Sequence, residues 1–198
     1  HIFIQANPLL KNDELKLKAR HGLEYLFPAV PMMSVFEDGA TLKLHRDPQR
    51  SAASIAKFSR RDADTFLQVS RQAAAWLPMI ESSLYSPPAP VGATNALLDQ
   101  SREGRALWRV MQMSTHDHLC ELFEHERVRM HFARVAGENL VSPDEKATAI
   151  GMYVFLGFLE GYGFGVARGG AGRLTEALIA CIRAHGGEVI ANAEVARI

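Results

Sequence analysis

Cysteine is scarce in this sequence, which has two cysteines in 198 residues. Cys120 and Cys181 lie far apart, and each falls in a stretch with the apolar periodicity of a helix. A small disulfide-stabilised fold needs several cysteines at short spacings, so that class of protein is excluded. The pattern favours two reduced thiols that are buried in a core.

The chain also lacks an excess charge and a long apolar run. It has 22 basic and 22 acidic residues, so no electrostatic attraction to nucleic acid or to an anionic membrane is expected. The longest apolar stretch, residues 149–159, is too short to span a bilayer, and no signal peptide is recognisable. These absences predict a globular, cytoplasmic protein with no integral membrane segment, and they leave peripheral membrane contact open.

Several motifs of catalysis and cofactor binding are missing as well. The sequence has no G-x-G-x-x-G dinucleotide fingerprint, no P-loop and no nucleophile elbow, and no residue stands out as a catalytic acid or base. The chain opens at His1 and closes on the strand-like run NAEVARI. We therefore expect an internal segment of a longer protein.

The clearest β-signal is a predicted hairpin around the dipeptide DG at 38–39. This dipeptide is typical of a two-residue turn with positive φ. Folding about such a turn pairs Val35 with Leu42 and Met33 with Leu44 on one apolar face.

Helical patterns dominate the stretch after the hairpin. Ser59, with Asp62 three residues later, predicts a capped helix start. One apolar stripe follows at steps of three and four residues, formed by Phe66, Val69, Ala73, Trp76, Leu77 and Ile80. The proline-rich run 86–90 ends that helix. Further helices are predicted over residues 103–113, 115–123, 127–136 and 143–159.

Two segments carry candidate chemistry, each with a structural alternative. His118, Glu121 and His125 share one predicted helix face, which suits either a transition metal or a solvated polar surface; the surface is favoured, and no metal is predicted. The apolar run 149–159 is typical of a buried core helix. It could alternatively line a pocket for an apolar substrate, with walls formed by Met152, Tyr153, Phe155 and Phe158, and Tyr162 as a polar group.

A glycine turn precedes the last predicted helix. Gly169, Gly170 and Gly172 lead into a helix whose start leaves backbone N–H groups unpaired, and the glycines place no side chain in front of it. Either a tight turn or contact with a cofactor explains this arrangement. The helix has Leu174, Leu178 and Ile182 on one face, and two strands are predicted after it, at 188–190 and 194–198.

The tail FGVARGGAGRLTEALIACIRAHGGEVIANAEVARI resembles a segment of phytoene desaturase-like and amine oxidase-like flavoproteins. The resembling pattern is a glycine pair before a helix, a second glycine pair after it, and a strand ending V-x-x-I. Its positions are Gly169, Gly170, Gly172, Leu174, Ala177, Leu178, Gly186, Gly187, Val195 and Ile198. Upstream, QANPLLKNDEL, HGLEYLFP and LFEHERVRMHFARVAGENLVSP also look like desaturase relatives.

The resemblance implies an α+β fold in two parts. Residues 1–165 would form a mostly helical substrate domain with a β-hairpin or small sheet. Residues 166–198 would be a helix-strand-strand segment that returns to a discontinuous FAD-binding domain, whose fingerprint lies outside this chain. The apolar face of the returning helix would pack on that domain's sheet, so part of this face should be exposed here.

The resemblance also implies chemistry and site residues. FAD would be contacted at Gly169, Gly170, Gly172 and Val195, the last through its backbone. The activity would be dehydrogenation of a lipophilic substrate by hydride transfer to flavin, with the rest of the flavoprotein as partner. The segment alone should be inactive and bind FAD weakly or not at all. Two alternatives stay open: a flavin oxidase acting on amines or small alicyclic acids, and a non-enzymatic helical interaction domain.

Overall fold

The computed structural model describes residues 3–197 and has an α+β fold, mostly helical with two small antiparallel sheets. The predicted fold class is confirmed. In chain order the elements are a 3₁₀ helix (Phe3–Ala6), α1 (Pro8–Lys11), α2 (Leu17–Arg20), β1 (Tyr25–Leu26), β2 (Met32–Val35), β3 (Thr41–Leu44), α3 (Pro48–Ile55), α4 (Arg60–Tyr85), α5 (Val91–Asp99), α6 (Arg102–Gln112), α7 (Thr115–Leu122), α8 (Glu126–Glu138), α9 (Ile150–Tyr162), β4 (Val166–Ala167) and α10 (Gly172–Ala184).

The chain forms two compact units that differ from the predicted domains. One unit is Ala29–Gly163, and the other joins the segment up to Pro28 to the segment from Phe164 onward. In the second unit β1 pairs antiparallel with β4, and a small apolar core joins α10 to the N-terminal segment through Leu10, Leu17, Leu23, Ala177 and Cys181. The N-terminal residues therefore belong with the C-terminal segment, a pairing that local sequence patterns do not encode.

The hairpin forms, but its predicted register is wrong by one residue. Met33 pairs with Lys43 rather than with Leu44, because the loop has three residues and Gly39 takes a φ of 79°. A three-residue loop with glycine in the left-handed region is a common hairpin connection. A one-residue slip exchanges the faces of a strand, so Met33 and Val35 are exposed. The buried residues of the hairpin are Met32, Leu42 and Leu44.

Helix α4 confirms the predicted cap and the predicted apolar stripe. Ser59 accepts a hydrogen bond from the backbone N–H of Asp62 at 3.0 Å, and the stripe from Phe66 to Ile80 is buried except for the half-buried Leu77. Trp76, which belongs to this stripe, is 5% exposed. The stripe packs on α9, so these two helices form the centre of the larger unit.

Several elements differ from the sequence prediction. Helix α9 starts at Ile150 rather than at residue 143, and α5 was not predicted at all. Neither 188–190 nor 194–197 forms a strand within the described residues, and Ile198 lies outside them. A short strand needs hydrogen-bonded neighbours, and no strand of the described chain lies beside this tail.

The two thiols have different environments. Cys181 is buried as predicted, whereas Cys120 is exposed, so the prediction of two buried thiols is wrong for Cys120. Its position on α7 lies on the solvent side of that helix, next to the exposed His116.

No helix in the part of the chain that the structure describes combines the length and the apolar character needed to cross a membrane. The longest, α4, carries charged residues throughout its first turns.

Candidate functional site

A cavity of about 250 Å³ lies among helices α4, α5, α6 and α9 of the larger unit. We call it the aliphatic groove. Its lining is almost entirely methyl and methylene groups, contributed by Met79, Ile80, Ser83, Leu84, Thr94, Leu98, Leu107, Met111, Ile150 and Val154. A concave, mainly apolar space of this kind is the usual form of a small-molecule site.

Local sequence explains why α5 and α6 form one side of the groove. Ser101 caps α6 by accepting a hydrogen bond from the N–H of Gly104 at 2.9 Å. A Cβ built on Gly104 would lie 2.1 Å from the carbonyl oxygen of Leu98, so only glycine permits this close corner. The corner turns Leu98 and Leu107 inward, where both are buried.

The two hydroxyl groups of the groove are already hydrogen bonded. The Ser83 hydroxyl donates to the carbonyl oxygen of Ile80 at 2.8 Å, and the Thr94 hydroxyl donates to that of Pro90 at 3.4 Å. None of the lining residues is charged. The groove therefore offers dispersion contacts and burial but no charged anchor for a polar substrate.

The predicted pocket walls lie elsewhere. Met152, Tyr153, Phe155 and Phe158 are buried in the core and do not line the groove, whereas Ile150 and Val154 of the same helix do. Because α9 is apolar on nearly every side, its sequence could not indicate which face meets the cavity. The contributions of α5 were missed too, since that helix was not predicted.

Tyr153 belongs instead to a buried aromatic cluster. Its hydroxyl lies 2.9 Å from Nε2 of His118, and its ring centroid lies 4.7 Å from that of Trp76. Burial raises the pKa of Tyr153 to about 12 and lowers the pKa of His118. Within the described residues, Nδ1 of His118 and Nε1 of Trp76 are buried without a hydrogen-bond partner. The cluster is thus neutral near neutral pH.

The three residues considered as metal ligands form hydrogen bonds with different partners. His118 bonds to Tyr153, Glu121 accepts two hydrogen bonds from Arg109, and Nδ1 of His125 accepts from the N–H of Arg127. In the described part of the chain, no three histidine, cysteine, aspartate or glutamate side chains are arranged to hold a metal ion.

Tyr162 is half-buried near the end of α9. Its hydroxyl donates to a carboxylate oxygen of Glu81, and its ring lies 5.8 Å from that of Phe158. Neither Tyr162 nor Glu81 lines the aliphatic groove, so a substrate contact for Tyr162 stays a prediction.

The glycine turn has the backbone geometry that only glycine adopts readily. Gly169 and Gly170 have φ values of 88° and 98°, and Gly172 begins α10. No side chain caps this helix, and a Cβ built on Gly170 or Gly172 would meet no atom within 4 Å. The N–H groups of Arg173 and Leu174 donate to the carbonyl oxygens of Gly170 and Ala171, whereas those of Ala171 and Gly172 donate no hydrogen bond within the described residues.

The remaining predicted contact, Val195, lies in an irregular segment after α10 and is 72% exposed. On α10 itself, Leu178 and Ile182 are exposed, as expected for part of the apolar face. The buried face is formed by Ala177 and Cys181 rather than by those larger residues.

Compared with known proteins, the chain matches no protein-family model and has no significant match among curated proteins.

Proposed function

We propose that this chain is part of an FAD-dependent oxidoreductase that dehydrogenates a lipophilic substrate by hydride transfer to flavin. The observation that carries the proposal is the glycine turn before α10. Gly169 and Gly170 hold positive φ values there, and the uncapped start of a 13-residue helix follows. Such a helix start attracts electron-rich and anionic groups, including those of a dinucleotide.

The residues present fit a cofactor at this turn. The N–H groups of Ala171 and Gly172 donate no hydrogen bond within the described residues, and the space beside Gly170 and Gly172 is open. These glycines would hold the cofactor through their backbone, as the resemblance implies. The backbone of the exposed Val195 is likewise available for a main-chain contact. The dinucleotide fingerprint would be supplied by another part of the protein.

The aliphatic groove supports a lipophilic substrate over the amine or small acid of the alternative oxidase. Amines and carboxylic acids need a charged or strongly polar anchor when they are buried. The groove is lined by no charged side chain, and its two hydroxyls already donate to backbone carbonyls.

Bound FAD would supply the hydride acceptor. The chain's own residues would bind and orient the substrate. The lining of the groove would remove the apolar surface of the substrate from water, and the closely packed α4 and α9 behind it keep the walls in place. His118 and Tyr153, neutral because of burial, add no charge to this region. The proposal includes a cytoplasmic protein whose partners are a lipophilic substrate and the rest of the flavoprotein, without nucleic acid.

The test is the visible absorption spectrum of the purified full-length protein. We expect a flavin spectrum that survives dialysis, and release of FAD on denaturation. A colourless full-length protein that takes up no added FAD would refute the proposal. The 198-residue chain alone serves as the control, since it should retain little or no flavin.

A further inference from the structure

We propose that the aliphatic groove binds a short, uncharged aliphatic molecule of roughly ten carbon atoms. The reaction that the ligand would undergo rests on the proposed function, whereas the binding of the ligand to the groove does not. The inference narrows the substrate class from lipophilic molecules in general to short ones.

The volume sets the size of the ligand. An apolar protein cavity of about 150 Å³ stays dry and binds benzene, which has six carbons. The groove has about 250 Å³, and the same ratio gives roughly ten carbons. A long carotenoid-type chain would leave most of its length outside. A narrow, half-open groove of this kind also favours a small molecule over a protein partner, which needs a broad surface.

The walls set the chemical class. Their methyl and methylene groups form a surface without aromatic rings, and Met79 and Met111 can adapt to an irregular aliphatic shape because their side chains are flexible. The hydroxyls of Ser83 and Thr94 each already donate their only proton to a backbone carbonyl oxygen. Their oxygens can still accept hydrogen bonds, which suits a neutral alcohol better than a carboxylate.

The rim of the groove has exposed apolar side chains, which a bound ligand would cover. Met79 and Leu84 line the groove yet are exposed. Val91 precedes Thr94 by three residues and Leu98 by seven, so it lies on the same face of α5, and it is 75% exposed. A cluster of large exposed apolar side chains around a cavity is costly in water and is typical of a binding site.

The experiment titrates the 198-residue chain, carrying ¹³C-labelled methionine methyl groups, with 1-decanol below its aqueous solubility limit. We expect saturable chemical-shift changes at Met79 and Met111 and none at Met33, which lies on the hairpin. Ser83→Phe fills the groove and should raise the Kd by about tenfold or more. Ser82→Phe is the matched control: Ser82 is exposed, does not line the groove, and should leave the Kd unchanged.

Several outcomes would overturn the inference: no saturable shift, equal shifts at all methionines, or equal effects of the two serine variants. Shifts at Met79 that depend on protein concentration without decanol would instead show that a second copy covers the groove. If Ser83→Phe fails to fold, Thr94→Leu fills the same space and gives the same test. Decanoate should bind more weakly than decanol, and equal or tighter binding would contradict the uncharged class. Flavin content is measured separately in the full-length protein, so decanol binding to the 198-residue chain together with a full-length protein that takes up no FAD would refute only the proposed function.

Discussion

Gly157 of α9 lies directly against the backbone of Ala73 in α4. A Cβ built on Gly157 would lie 3.2 Å from the carbonyl oxygen of Ala73. One turn later, a Cβ on Gly161 would lie 3.0 Å from a methyl carbon of Leu77. Because no side chain separates the helices at Gly157, their backbones approach closely. The two glycines therefore determine how the walls behind the groove are packed.

Substituting Gly157 with leucine should destabilise the fold. The new side chain must displace α4 or distort α9, and overpacking of this kind typically costs about 1–3 kcal/mol. Chemical denaturation gives the free energy of unfolding. Gly137→Leu is the matched control, because Gly137 lies in the last turn of α8 with no atom within 4 Å of a built Cβ. That change should be neutral or slightly stabilising; equal losses in both variants would contradict the close approach.

How far the sequence predicts this fold depends on whether a feature is local. The cap at Ser59 and the stripe through Trp76 depend on neighbouring residues, and both were predicted correctly. The hairpin was predicted, but its register depends on a loop of three rather than two residues around Gly39, and dipeptide statistics do not separate these. The pairing of β1 with β4 joins the two ends of the chain, so no local pattern indicates it.

The candidate site was predicted less well, for a physical reason. An amphipathic helix reveals its buried face, but α9 is apolar all round, so Tyr153 and Val154 look equally suited to a pocket. Only the positions of α5 and α6 decide that Val154 meets the groove. The available signal for α5 was the spacing of Val91, Leu97 and Leu98. The prolines before this segment obscured it, because they are typical of a loop.

Replacing Trp76 tests the aromatic cluster behind the groove. Trp76→Ala should cost about 3–5 kcal/mol, because the indole is almost fully buried and leaves a large cavity. Trp76→Phe should cost much less. It keeps most of the apolar contact with Tyr153 and removes an indole N–H that has no partner in the described residues. Thermal or chemical unfolding measures both, and a loss below about 1 kcal/mol for the alanine variant would contradict full burial.

The glycine turn can be tested in the full-length protein. Gly170→Val should reduce bound flavin strongly, because φ at this position is 98° and a β-branched residue would move the backbone at the start of α10. Val195→Ala should have a mild effect, since the proposed contact of Val195 is made by its backbone. Flavin content per protein and circular dichroism are measured together. Equal, small effects of the two changes on the flavin content would contradict a contact between the glycine turn and the cofactor.

A buried histidine predicts how stability depends on pH. His131 is 1% exposed; its Nδ1 lies 2.7 Å from the hydroxyl of Ser34, and its Nε2 has no partner within the described residues. Burial, with a smaller contribution from Arg134, lowers its pKa from 6.5 to about 4. The folded protein therefore keeps this ring neutral at pH values where the unfolded chain would protonate it.

Stability should fall as the pH decreases from about 6.5 to about 4, because the unfolded state binds the additional proton in that window. The loss from His131 alone is on the order of 3 kcal/mol once the pH reaches the folded pKa or lower. His131→Gln cannot titrate, so its free energy of unfolding should change less across the window than that of the wild type. A residual slope is expected from His118, whose pKa burial also lowers. An unchanged slope in His131→Gln would show that the buried ring is not the group responsible.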